Sequence, residues 1–307
     1  MSELVQITRF DVEVSGGSLA CFRFGKSDAT QIAIAVHGIT SNSRAWLPVA
    51  RALGDEVALV AIDLRGRGRS SCLSGPYGIE AHVRDLRAVI DALGLERALL
   101  VGHSLGAYIV ARLADSHPDR ATSLVFVDGG LPIPGSEDVD LDTFLGPALA
   151  RLKLRFTDRK AYREWWRKHP ALRAGDVTDD DLDAYADHDL VGTPPDLRSS
   201  VVEAAVRADS ADVARGADAA HRLKVPVRML CAPRGLMNDA NPMQPLELAR
   251  AWAGENPSLR EAALIPGVNH YTITLGARGA AAVAEATTAA SETSSVRLGL
   301  SARDWRA

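Results

Sequence analysis

A chain of 307 residues, 47% hydrophobic and 24% charged, can bury a core without disulfides or metal, and its composition excludes wholesale disorder. Thirty-five basic against thirty-nine acidic residues leave a net charge of −4, which argues against a nucleic-acid surface. The apolar runs at 30–36 and 57–62 are far shorter than the roughly 20 residues that span a bilayer, so no membrane span is expected. The start, MSELVQITRF, carries no apolar signal segment. Three scattered cysteines, Cys21, Cys72 and Cys231, form no CxxC pair and fit reduced thiols, so the expected address is cytoplasmic.

Residues 5–25 alternate apolar and polar about Gly16-Gly17, the pattern of a β-hairpin. Residues 32–36 and 57–62 are apolar on both faces and read as buried strands. Helical spacing covers 44–53 and 79–93, each stopped by a glycine, Gly54 and Gly94. A strand at 98–101, a helix at 105–116 and a strand at 124–127 follow. Strands alternating with helices predict a parallel sheet covered on both faces, with the hairpin at its edge. From 131 to about 222 no buried strand is expected. Aromatic and apolar residues fall there at helical spacing, the stretch 176–189 is acidic, 192–195 is a turn and 199–207 reads as a helix. This insertion either merely packs on the sheet or forms a lid over a pocket. The α/β pattern resumes with a strand at 225–231, a helix at 245–253, a strand at 260–265 and a helix near 277–290. The expected division is therefore a core in two parts, 1–130 and 223–290, an insertion at 131–222 and a mobile tail at 291–307.

Gly102-His103-Ser104-Leu105-Gly106 fits G-x-S-x-G, after a buried strand and before a helix, as a nucleophile elbow requires. The sharp turn strains Ser104, the flanking glycines remove collisions, and the helix N-terminus offers unpaired N–H groups to a developing oxyanion. His37-Gly38-Ile39 follows one buried strand, and Asp63-Leu64-Arg65-Gly66-Arg67-Gly68-Arg69-Ser70 follows the next. With the elbow, these three segments resemble the α/β-hydrolase superfamily over about 5–130 and 223–290. The resemblance implies an eight-stranded, mostly parallel sheet with a helical cap inserted after strand six, similar to capped esterases, lactonases and carbon–carbon bond hydrolases.

A serine hydroxyl needs a general base. His270, in the loop between the last predicted strand and helix, occupies the position of the family's catalytic histidine, and chain order agrees. His103 is expected to shape a wall, and His37 to hold its loop through a hydrogen bond. His82, His117, His169, His188 and His221 have no special placement. The family's acid commonly follows strand seven, where this chain has Arg234-Gly235 and then, late, Asp239. The alternative is Asp128, at the end of strand six, favoured because a strand end fixes a side chain better than a long loop. The oxyanion donors would be the backbone N–H groups of Ile39 and Leu105. Residues 63–70 are expected to be a structural loop, its three arginines solvated by default, with an anion site as the alternative. Trp46, Tyr108, Leu131, Phe144, Trp165, Trp166 and Tyr271 are possible pocket or core residues.

The expected activity is that of a serine hydrolase cleaving a small-molecule carboxylic ester or lactone through an acyl-enzyme, with no cofactor and no metal. The alternatives are carbon–carbon cleavage of a diketone-type substrate and a receptor-like use of the fold. Serine at position 104 speaks against dehalogenase or epoxide hydrolase chemistry, whose enzymes in this superfamily use aspartate there.

Overall fold

A computed structural model describes residues 5–26, 29, 31–55, 57–132, 141–173 and 175–292. β1 (Ile7–Val14) and β2 (Gly17–Phe24) form the expected hairpin, with Gly16 and Gly17 at φ of 91° and 141° in its turn. Next come β3 (Gln31–Val36), α1 (Leu47–Leu53), β4 (Val57–Ile62), α2 (Ile79–Ala92), β5 (Ala98–His103), α3 (Leu105–Ser116) and β6 (Ala121–Val127). The insertion carries α4 (Leu141–Leu152), α5 (Arg159–Arg167), α6 (Pro170–Arg173) and α7 (Asp179–Asp189). A two-residue ribbon of β7 (Leu190–Val191) and β8 (Arg198–Ser199) and then α8 (Glu203–Gly216) complete it. The chain ends its described part with β9 (Val227–Cys231), α9 (Leu246–Glu255), β10 (Leu259–Leu264), α10 (Thr272–Leu275) and α11 (Ala277–Glu292).

The main sheet has eight strands in the order β1-β2-β4-β3-β5-β6-β9-β10. The β1–β2 and β2–β4 pairs are antiparallel, and every other pair is parallel. Strand alternation splits the core. Ile34, Val36, Val60 and Ile62 face α2, α3 and α9, while Ala33, Ala35, Leu59 and Ala61 face α1 and α11. A third cluster, built on Phe156, Tyr162, Trp166, Leu172, Leu182 and Tyr185, belongs to the insertion and touches the rest through Ala45 and Leu275.

Several sequence expectations shift. The helix expected at 199–207 starts only at Glu203, because Ser199 pairs in β8. The acidic stretch is α7, whose Asp183 and Asp187 pair with Arg163 of α5. Residues 291–292 continue α11, and the remainder of the expected tail, 293–307, lies outside the described residues. The arginines of 63–70 are not all solvated: Arg65 is 2% exposed and Arg67 fully buried. Neither is an open anion site. Arg65 is held by Asp85 at 2.7 and 2.8 Å and by the carbonyls of Ser74 and Ser15. Among the described residues no helix is long and apolar enough to cross a membrane, and no cluster of His, Cys, Asp or Glu could hold a metal ion.

The Arg65–Asp85 pair locks the loop after β4 to α2 in a buried setting. Removing one partner strands a buried charge, so Asp85→Ala should cost about 3–5 kcal/mol in a urea unfolding titration. A loss below about 1 kcal/mol would mean that water reaches the guanidinium.

Candidate active site

Parallel strands that diverge in chain order leave a crevice at their carboxyl edge, here between β3 and β5. Register then fixes what meets there. Val36 pairs with Gly102 and His103 with Val127. Gly38, Ser104 and Asp128, which follow these strands, therefore come to one row along the edge.

Ser104 has φ 52° and ψ −120°, and Asp128 has φ 48°. Asn238, in the loop after β9, is the third non-glycine residue with positive φ among those described. L-residues pay strain in this region, and such residues cluster at functional sites. The glycines around the elbow follow from crowding. A Cβ on Gly106 would overlap the Val36 carbonyl, one on Gly102 would overlap the Gly106 carbonyl, and one on Gly129 would lie 2.5 Å from the Ser104 carbonyl oxygen. A Cβ on Gly38 would lie 3.2 Å from Ser104 Cβ.

His270 Nδ1 lies 2.6 Å from Asp128 Oδ2, and Ala232 N donates to Asp128 Oδ1 at 3.0 Å. Both groups are buried, His270 being 4% and Asp128 1% exposed. Donation from Nδ1–H leaves Nε2 as the proton acceptor. The His270 loop is tied at several points. His270 N donates to the Arg234 carbonyl, Asn269 Oδ1 accepts from the amides of Tyr271 and Thr272, and Asn269 Nδ2 donates to the Ala171 carbonyl of α6. His103 Nε2 donates to the His270 carbonyl at 2.9 Å, with the two rings 4.7 Å apart. Burial and the neighbouring His270 push the His103 imidazole well below the usual histidine range, so it is a neutral donor.

Asp239 lines the same cavity as Ser104 and His270 but holds neither. Its oxygens accept from the amides of Asn241 and Met237 within its own exposed loop. A second Ser–His–Asp grouping, Ser43, His188 and Asp63, cannot relay a proton to a substrate. Both contacts converge on one ring nitrogen, His188 Nε2, at 3.3 and 2.7 Å, and Ser43 is fully buried. That grouping joins α7 to the loop after β4.

The loop after β3 is held by three side chains at three successive carbonyls. His37 Nδ1 donates to the Gly38 carbonyl at 2.7 Å, and its Nε2 accepts from Leu64 N at 3.1 Å, which sets the tautomer. Arg67 Nε donates to the Ile39 carbonyl at 3.0 Å, and Arg151 Nη2 to the Thr40 carbonyl at 3.0 Å. In a trans peptide the N–H points opposite its carbonyl. Fixing the Gly38 carbonyl therefore fixes the direction of the Ile39 N–H. Leu105 N–H is the first amide of α3, where helix donors lack intrahelical partners. Burial pushes His37 down to about 4.

Ser104, His270 and His103 open on one cavity of about 320 Å³, at the lower end of small-molecule sites. Trp165, Trp166 and Tyr271 line it, while Trp46, Tyr108 and Leu131 belong to the sheet cores. The side chain of Phe144 lies outside the described residues. Sequence reasoning assigned no role to Arg151, His169, Met237 or Met243, which also line the cavity. Each lies in a segment with no motif, and Arg151 sits on a helix where an arginine ordinarily faces water.

Asp128→Asn should lower kcat by about 10⁴ by favouring the wrong imidazole tautomer, whereas Asp239→Asn should cost tenfold or less. Steady-state kinetics on both variants at one pH, after circular dichroism, decides between them. Equal, mild losses would remove Asp128 from the mechanism. His37 is neutral when folded, so the unfolded chain takes up the proton first as pH falls below about 6.5. Its stabilising contribution is complete above that pH and is lost toward pH 4, on the order of 2 kcal/mol between pH 7 and 5. Urea titrations should show His37→Asn flattening this acid limb; an unchanged slope would place the linkage elsewhere.

The family profile described as alpha/beta hydrolase fold matches residues 34–191. Lipase LipV of Mycobacterium tuberculosis is 34% identical over 179 residues, 56% of this chain and 62% of the lipase, so the match covers less than two thirds of that relative. Among solved structures, E-2-(acetamidomethylene)succinate hydrolase superposes with a TM-score of 0.72 at 23% identity, over 92% of this chain and 98% of the other. The thioesterase domain from the curacin biosynthetic pathway gives 0.70 at 21% identity, over 92% and 99%. With the strand order, the strained elbow and the profile match in agreement, this chain belongs to the α/β-hydrolase fold family.

Proposed function

We propose that this chain is a serine hydrolase acting on a small carboxylic ester or lactone through an acyl-enzyme. The observation that carries the reading is the strained Ser104 opening on the same cavity as His270, whose other ring nitrogen is held by Asp128. Ser104 Oγ attacks the ester carbonyl while His270 Nε2 takes its proton. The amides of Ile39 and Leu105 stabilise the tetrahedral oxyanion. Collapse expels the alcohol, which receives the proton from His270. Water then attacks the acyl-enzyme by the same route and releases the acid and free Ser104. The likeness to a lipase supports an ester carbonyl as the target.

The insertion at 131–222 acts in this reading as a cap. α4, α5 and the link between α5 and α6 contribute Pro147, Ala148, Arg151, Trp165, Trp166 and His169 to the cavity wall, and the cap packs about its own aromatic core. Such a wall sets substrate size more than intrinsic chemistry.

A fluorophosphonate should label the wild type at Ser104, identified by mass spectrometry, and Ser104→Ala should lose labelling and nearly all turnover of 4-nitrophenyl esters. Turnover within a few-fold of wild type would end the serine mechanism. Trp165→Ala should move the preferred acyl chain to greater length, read as kcat/KM from acetate to decanoate. A uniform drop across the series would show that Trp165 supports the fold and does not select substrate.

A further inference from the structure

Among the described residues the cavity wall holds one buried charged group whose placement the acyl-transfer chemistry does not require. Arg151, on α4, is 2% exposed and lines the cavity among aromatic and aliphatic side chains, its guanidinium 5.0 Å from the ring of Trp166. Its counter-ion Asp189, 2.5 Å from Nη1, is not part of the lining and lies behind it. The pair therefore presents its positive end to the cavity. Asp189 also accepts from Tyr162 Oη, Ser199 Oγ, Ser200 Oγ and Ser200 N, so four further donors spread its charge. Arg151 Nη1 also donates toward Tyr162 and Ser199, and Nη2 to the Thr40 carbonyl. A guanidinium has five N–H donors, so these partners leave capacity at Nε and Nη2.

His169 lines the same cavity. Its Nδ1 accepts from Ala171 N at 3.3 Å, which puts the ring proton on Nε2 and makes that atom a donor. Burial and the charge of Arg151 lower its pKa to about 4, so it is neutral and Arg151 alone carries the charge. Among the described residues the one carboxylate in the lining, Asp239, belongs to the exposed loop after β9 and is occupied by the amides of Met237 and Asn241.

Resting on the serine-hydrolase reading, we propose that the substrate carries a carboxylate away from the scissile carbonyl and that Arg151, with His169 Nε2–H, binds it. Charge-assisted hydrogen bonds from a guanidinium are strong in a desolvated setting, and arginine suits a planar carboxylate. An uncharged acyl chain would leave the positive face of the pair against hydrocarbon.

The test compares 4-nitrophenyl hemisuccinate with the near-isosteric, neutral 4-nitrophenyl pentanoate. The wild type should favour the hemisuccinate at least tenfold in kcat/KM, mostly through KM. The preference should fall to about threefold or less in Arg151→Met. Because that variant strands Asp189, His169→Phe, which leaves the ion pair intact, is measured beside it and should reduce the preference several-fold. A wild type that is indifferent, or that favours the pentanoate, overturns the carboxylate site while leaving the hydrolase reading in place. If neither ester turns over and the fluorophosphonate does not label Ser104, the hydrolase reading fails. The site itself is then decided by calorimetric titration of the wild type with glutarate and with neutral glutaramide: tighter binding of glutarate supports it, and equal or weaker binding overturns it.

Discussion

Two left-handed turns, at Ser104 and Asp128, press against each other at the carboxyl edge of the sheet, and this crowding governs the residues around them. The Ser104 amide donates to the Val127 carbonyl, and Gly129 lies against the Ser104 backbone with no room for a side chain. Neither turn could relax alone: moving one shifts the strand end that carries the other. The strain is held by buried strands, β5 along its whole length and β6 at every residue but Thr122. Packing of that density resists small displacements, so the serine and the carboxylate are positioned by the core and not by each other.

The same frame holds Asp128, the residue directly after β6. Asp128 receives hydrogen bonds from two sides, the Ala232 amide from the end of β9 and the His270 ring from the loop after β10. Its own amide donates to the Leu230 carbonyl at 2.7 Å. Three consecutive segments of the carboxyl edge thus meet at one side chain. The loop after β9 is in turn free to turn about Asp239 and to supply Leu236, Met237 and Met243 to the cavity wall.

Much of the fold was legible because its signals are local. Buried runs such as 57–62 and glycine-stopped helices depend only on neighbours in sequence, and the elbow carries its sterics in five residues. The approach of Asp128 to His270 could be anticipated because a strand end has a defined direction. Arg65, Arg67, Arg151 and His169 were not. Arginine in a loop or on a helix reads as solvated, and its burial depends on partners 20 to 142 residues away, Asp85, Asp209 and Asp189 among them. Long-range pairing of charge leaves no periodicity, so side chains that define a cavity wall are invisible until the chain is folded.

In the proposed mechanism those buried arginines bear on catalysis through the loop after β3. An oxyanion site works when its donors need no reorganisation as charge develops. Here the carbonyls of Gly38, Ile39 and Thr40 are each claimed by a different buried side chain, His37, Arg67 and Arg151. Arg67 is paired with Asp209 of α8, which also accepts from His82 and the Gly78 amide, and Arg151 is itself on α4. Two of the three restraints on the loop therefore originate in or are anchored by the insertion. Buried ion pairs contribute little net stability once their desolvation is counted, but they fix geometry because each partner is costly to leave alone. An insertion bound in this way is poorly suited to swing as a lid. It serves better as a fixed wall whose charges hold the loop after β3 in place, and in the proposed mechanism substitutions in α4 or α8 would reach the reacting carbonyl through that loop without touching it.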